Sequence, residues 1–166
     1  MSLVDAQIRL SKAFELKESV ATLETNRDAL ASGSVTDKDA LEKISQDSEA
    51  ANEAHNKSMK EGKELSKEGT EHYINSYDPF VKGIKGTRDL ALGFPAFLSA
   101  AQNQIKNAPT LDMRKVKKKL SASMYVATNT PGLIGNMLET SKQMLAYTKA
   151  RNIPVPKNST DALGDL

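Results

Sequence analysis

Apolar positions along the chain recur every three or four residues and almost never every second one, which is the period of an α-helix. Over residues 2–31, Leu16, Val20, Leu23 and Leu30 form one stripe, with Leu3, Ala6, Leu10 and Ala13 beside it. Ser2 and Asp5 have the spacing of a capping box, and Gly33 suits the left-handed residue that ends a helix. One long first helix is predicted. Thr36 and Asp39 repeat the capping box a few residues later, so a second helix must turn back on the first.

That second helix carries the cleanest pattern. Leu41, Ile44, Ser48, Ala51, His55, Ser58, Gly62, Leu65 and Gly69 alternate by three and four, a heptad seam containing small residues. Each glycine inside a helix costs about 1 kcal/mol relative to alanine, which points to close packing. Asp78 followed by Pro79 reads as the cap and first residue of a third helix over residues 79–106, with Phe80, Ile84, Leu90, Phe94, Leu98 and Ile105 inward. Thr110 or Asp112 opens a fourth over residues 112–150. Proline removes a backbone hydrogen bond and clashes with the carbonyl four residues earlier. The expected fold is therefore all-α, an antiparallel up-down bundle of four long helices, the third kinked near Pro95 and the fourth kinked or split near Pro131. Residues 1–151 form one domain, and residues 152–166, with two prolines, form an extended C-terminal tail.

Composition narrows the chemistry. The absence of cysteine excludes disulfides, thiolate metal sites and cysteine nucleophiles. Residues 90–105 and 121–138 carry no charge, but the first stretch is too short to span a bilayer and the second holds Ser121, Ser123, Thr128, Asn129, Thr130 and Asn136. Both read as bundle helices, not transmembrane segments. His72 has Glu68 one helical turn before it, but neither a Glu-x-x-His pair nor an HExxH motif is present, so no metal and no cofactor are expected. No phosphate-binding glycine loop or nucleophile elbow appears. Enzyme chemistry is not expected.

Charge is lopsided within a formal total of +2. Residues 1–78 hold 10 Lys and Arg against 16 Asp and Glu, and residues 79–166 hold 13 against 5. Arg114, Lys115, Lys117, Lys118 and Lys119 crowd the start of the fourth predicted helix, where the helix dipole disfavours cations by about 0.3 to 1 kcal/mol each. Either they dock on the acidic first half, or they meet an anionic surface such as lipid headgroups or polysaccharide. Nucleic acid is disfavoured, since no aromatic side chain interleaves the run.

The second helix is expected to outrun the first near Tyr73, Tyr77 and Phe80. These aromatics, with Thr128 and Asn129 beside Pro131 and with Met137, make a candidate ligand pocket. Two functions are expected from the sequence: a non-enzymatic interaction or scaffold module, for instance of a bacterial cell envelope, with an unidentified protein partner; and a carrier or sensor for a small molecule or lipid at that pocket. The first ten residues lack the charged start and apolar core of a signal peptide. The compartment expected is periplasmic or secreted if Met1, Ser2 and Leu3 replace a removed leader, and cytoplasmic otherwise.

Overall fold

The computed structural model describes residues 1–109 and 112–165. Among these residues it holds seven helices and no strand: α1 (Ser2–Ala13), α2 (Lys17–Ala31), α3 (Lys38–Lys60), α4 (Lys67–Leu92), α5 (Phe94–Asn107), α6 (Met113–Arg151) and α7 (Lys157–Gly164). The chain is all-α. Thr110, one of the two predicted caps of the last long helix, lies outside the described residues.

Helix α1 is the central rod. Ala6, Gln7, Leu10, Ser11 and Phe14 are fully buried, because α2, α3 and α4 surround α1. Helix α2 folds back along it, with Lys12 paired to Glu24 at 2.9 Å and Ile8 and Leu23 sharing a small core with Ala51. Helix α4 runs antiparallel to α1, since Gly69 lies beside Ala13 and Gly83 beside Leu3. Helix α6 runs parallel to α3: Lys38 sits over the ring of Tyr125, Asn136 donates to Glu49, and Arg151 pairs with Glu64, each pair 87 residues apart. Helices α4 and then α5 descend along α6, joined through Gly93.

Four predicted long helices thus become seven, and the extra ends have physical causes. The first predicted helix stops at Phe14, where Glu15 takes a left-handed φ of 57° and Leu16 N–H donates to the Ser11 carbonyl at 2.8 Å. A left-handed non-glycine residue costs about 1 to 2 kcal/mol, so nothing in the sequence announces this turn. Gly62 ends α3 in the same way, with a φ of 65° and Lys63 N–H donating to the Ser58 carbonyl at 3.0 Å. It is a helix terminus, not a seam position. Ser66 then caps α4 by accepting from Gly69 N–H.

The prolines also correct expectation. Asp78 and Pro79 do not start a helix; α4 runs through them. Pro79 deprives the carbonyl of Asn75 of its donor, but Asn75 is on the exposed face, where water can serve. The predicted kink near Pro95 is instead a helix end, with Pro95 in the first turn of α5. At Pro131, α6 neither splits nor ends: Pro131 lies inside a single helix of 39 residues, about 58 Å long. The tail is not wholly extended. Residues 153–156 link to α7, whose Leu163 enters the main core beside Ile153, Val155 and Ala162.

The heptad positions Gly69, Ser76 and Gly83 let α4 approach α1 closely. A Cβ at Gly83 would lie 2.9 Å from Leu3 N, whereas one at Gly86 would meet nothing within 4 Å. Two substitutions one helical turn apart should therefore have opposite signs. Gly86→Ala is expected to stabilise by about 1 kcal/mol through helix propensity. Gly83→Ala is expected to destabilise by about 1 to 2 kcal/mol through overpacking. Urea unfolding monitored by circular dichroism checks both.

Candidate functional site

The predicted pocket does not form as one site. Tyr73, Tyr77, Phe80 and Met137 are fully buried in the main core. Tyr73 meets Phe14, Tyr77 and Tyr147 at ring-centroid distances of 6.1, 5.8 and 5.4 Å. Its hydroxyl donates to the Met144 carbonyl at 2.8 Å and lies 3.1 Å from the Thr148 hydroxyl, which Tyr77 also bonds. Burial raises the pKa of both tyrosines. They are neutral core residues that satisfy their polar ends, not a binding surface. Thr128 and Asn129 lie about two to three turns away from Met137 on α6, exposed, their side chains bonded to the Met124 and Tyr125 carbonyls.

On the other side of α1 the interior is polar. Gln7 donates through Nε2 to the Ser48 carbonyl, the Ser48 hydroxyl and Asn52 Oδ1 at 3.0, 2.8 and 2.9 Å. Ser11 and His55 Nε2 are hydrogen-bonded at 2.8 Å. Asn52 Nδ2, His55 Nδ1 and Asn56 Oδ1 find no partner among the described residues. Burial pushes the His55 pKa down to about 3, so the ring is neutral at pH 7. The core is divided: aromatic between α1, α4 and α6, and amide- and hydroxyl-rich between α1 and α3.

A cleft of about 180 Å³ lies between the first turn of α1 and helices α3 and α6, lined by Leu3, Val4, Leu41, Ile44, Tyr125 and Leu133 among others. Its walls come from three separate helices. Asn129 reaches this wall, as does Thr130, whose hydroxyl donates to the Val126 carbonyl at 2.7 Å. The stretch beside Pro131 therefore does line a cavity, but with different helices and without the buried aromatics.

The last feature is an arm. Helix α4 passes the start of α1 at Gly83, and α5 with the first turns of α6 extends beyond the first residue of α3. In α5 only Ala101 is fully buried, and just before it Leu90 and Leu92 are 58% and 82% exposed. Arg114, Lys115, Lys117 and Lys118 are exposed; the side chain of Lys119 lies outside the described residues. No ion pair among the described residues joins these cations to the acidic first half. Among the described residues, the run's ion pair is Lys115 with Asp112 at 3.9 Å on its own turn. Residues 82–119 contain nine Lys and Arg against two Asp, a net +7, so the remainder of the chain is net −5.

No family model, no curated protein and no solved structure matches this chain. Among the described residues no group of three or more His, Asp or Glu could hold a metal, and no helix is long and apolar enough to cross a membrane. The polar seam and the cleft were missed in the sequence because Gln7 and Ser11, one turn apart, sit beside the apolar stripe of α1. That i, i+4 polar pair, facing Ser48, Asn52 and His55, was the available signal.

Proposed function

We propose that this protein is a non-enzymatic helical module that attaches reversibly to an anionic lipid surface through the arm formed by the end of α4, α5 and the start of α6. The observation that carries this reading is the coincidence on one arm of exposed leucines and exposed cations. Helix α5, whose one charged residue is Lys106 in its last turn, is flanked by Lys85 before it and by the 114–118 run after it. Cations at the start of α6 oppose the helix dipole, a cost that an anionic partner removes. Lipid headgroups fit better than polysaccharide, because Leu90 and Leu92 gain from an acyl boundary and nothing from a carbohydrate. This suits the cell-envelope setting considered from the sequence.

Magnitudes decide that such attachment is reversible. Each cation near an anionic bilayer contributes about 1 kcal/mol. Four exposed cations and one or two inserted leucines, at about 1.5 to 3 kcal/mol each, give roughly 6 to 9 kcal/mol, a micromolar affinity. Cosedimentation with phosphatidylglycerol-containing vesicles tests it. Lys117→Glu with Lys118→Glu is expected to weaken binding by about 100-fold or more, and added salt should weaken the parent in the same way. Leu92→Asp should weaken it by about tenfold. Equal binding by all three, or self-association through Leu92 without vesicle binding, contradicts the proposal.

A further inference from the structure

We infer that the cleft between α1, α3 and α6 is a second, independent binding site, for one compact neutral apolar group of about the size of a single benzene ring. Four observations on the molecule converge on that chemistry. Three helices contribute Leu3, Leu41, Ile44, Tyr125 and Leu133, and no charged side chain is in the wall. The cavity volume of about 180 Å³ is close to that of an engineered apolar cavity of about 150 Å³ that stays dry and takes up benzene.

Three polar side chains of the wall are already engaged with protein. Thr130 donates to the Val126 carbonyl, Asn129 to the Tyr125 carbonyl, and Ser48 to Gln7 Oε1 at 3.0 Å. A charged or strongly hydrogen-bonding ligand would have to break these bonds or leave its own groups unpaired, at a cost that an apolar ligand avoids. Lastly, the wall is shared by three separate helices, so collapse would require α3 and α6 to close on each other against the first turn of α1.

Specificity follows from the same geometry. Size excludes a long acyl chain held along its length, and the uncharged wall excludes carboxylates and ammonium groups. Tyr125 stands at the rim with Lys38 Nζ 5.9 Å from its ring centroid, outside the apolar part of the wall. The arm is not required, so this site and the lipid contact fail or succeed separately.

Titrating the ¹⁵N-labelled full chain with toluene, and separately with benzoate, tests the inference. Toluene is expected to shift saturably the amide resonances of residues 3–4, 41–48 and 125–133, and benzoate is expected to leave them unmoved. Val126→Phe, which fills the cleft, should weaken toluene binding by at least about tenfold. Should that variant fold poorly, Leu41→Ala enlarges the same space and should instead accept n-butylbenzene more tightly than the parent does. The absence of a saturable toluene shift in the parent overturns the inference. So does equal binding of benzoate, or a toluene response that neither variant alters.

Discussion

Lowering the pH from 7 to 5 is expected to remove about 2 kcal/mol from the stability of the folded chain through His55 alone. The ring is fully buried, bonded through Nε2 to Ser11, and its pKa is pushed down by burial from 6.5 to about 3. The folded state therefore binds fewer protons than the unfolded state throughout the interval between those values. Stability is intact above pH 6.5 and falls as the pH drops towards 3, reaching a loss of about 3 kcal/mol at pH 4. Asp47 does not add to this loss: burial pushes it up, but Lys43 and Asn26 hold it on balance below its usual range. Urea midpoints at pH 7, 6 and 5 measure the effect. His55→Phe, which cannot titrate, should flatten the dependence, and an equal drop in that variant would contradict the assignment.

Tyr73→Ala is expected to cost about 4 kcal/mol, within the range for removing a fully buried aromatic ring. The ring touches three other aromatics, and its hydroxyl ties α4 to the Met144 carbonyl and Thr148 of α6. For a chain of this length that loss lowers the thermal midpoint by roughly 10 °C. Tyr73→Phe keeps the ring contacts and should cost only about 1 kcal/mol. The pair of variants separates two roles for the residue. A tyrosine lining an open ligand pocket would lose little stability on truncation, whereas a core tyrosine loses most of what the ring contributes. Calorimetric unfolding of the two variants against the parent gives the answer directly.

The helical class was legible because the three-to-four spacing of apolar residues is a backbone-wide signal that tertiary contacts seldom override. Helix ends were legible only where a residue with special backbone freedom marked them. Gly33 sits in the left-handed conformation as expected, with a φ of 69°. Gly62 has the same conformation, but the apolar stripe continuing through Leu65 disguised it as a packed seam position. Glu15 ends α1 in a conformation its side chain disfavours, so the division of the first predicted helix could not be seen locally. Pro79 misled in the opposite direction. Its position after Asp78 is that of a helix start, yet the exposure of Asn75 makes an interior proline tolerable.

The candidate sites were legible in part for related reasons. The run from Arg114 to Lys118 was visible as charge, and its place on an arm followed only once α6 was seen to extend past α3. The aromatics of α4 were visible as a cluster, but whether they face solvent or core depends on the register of α4 against α6. That register is carried by Tyr73, Tyr77 and Thr148 across more than 70 residues of chain. The cleft depends on how α1, α3 and α6 meet, which no local pattern encodes. Polar residues on α1 were overlooked because Gln7 and Ser11 look like a solvated face until α3 is placed on them.

The proposed lipid contact places Leu90, Leu92 and the start of α6 against the bilayer. Leu92 is 82% exposed and the chain contains no tryptophan, so Leu92→Trp supplies a single tryptophan at the arm, excited selectively over the tyrosines, without disturbing the core. Its fluorescence spectrum with vesicles is the most direct measurement. A blue shift on phosphatidylglycerol-containing vesicles that is absent with pure phosphatidylcholine and reversed by salt is predicted. An unshifted spectrum, or the same shift on both vesicles, would contradict it.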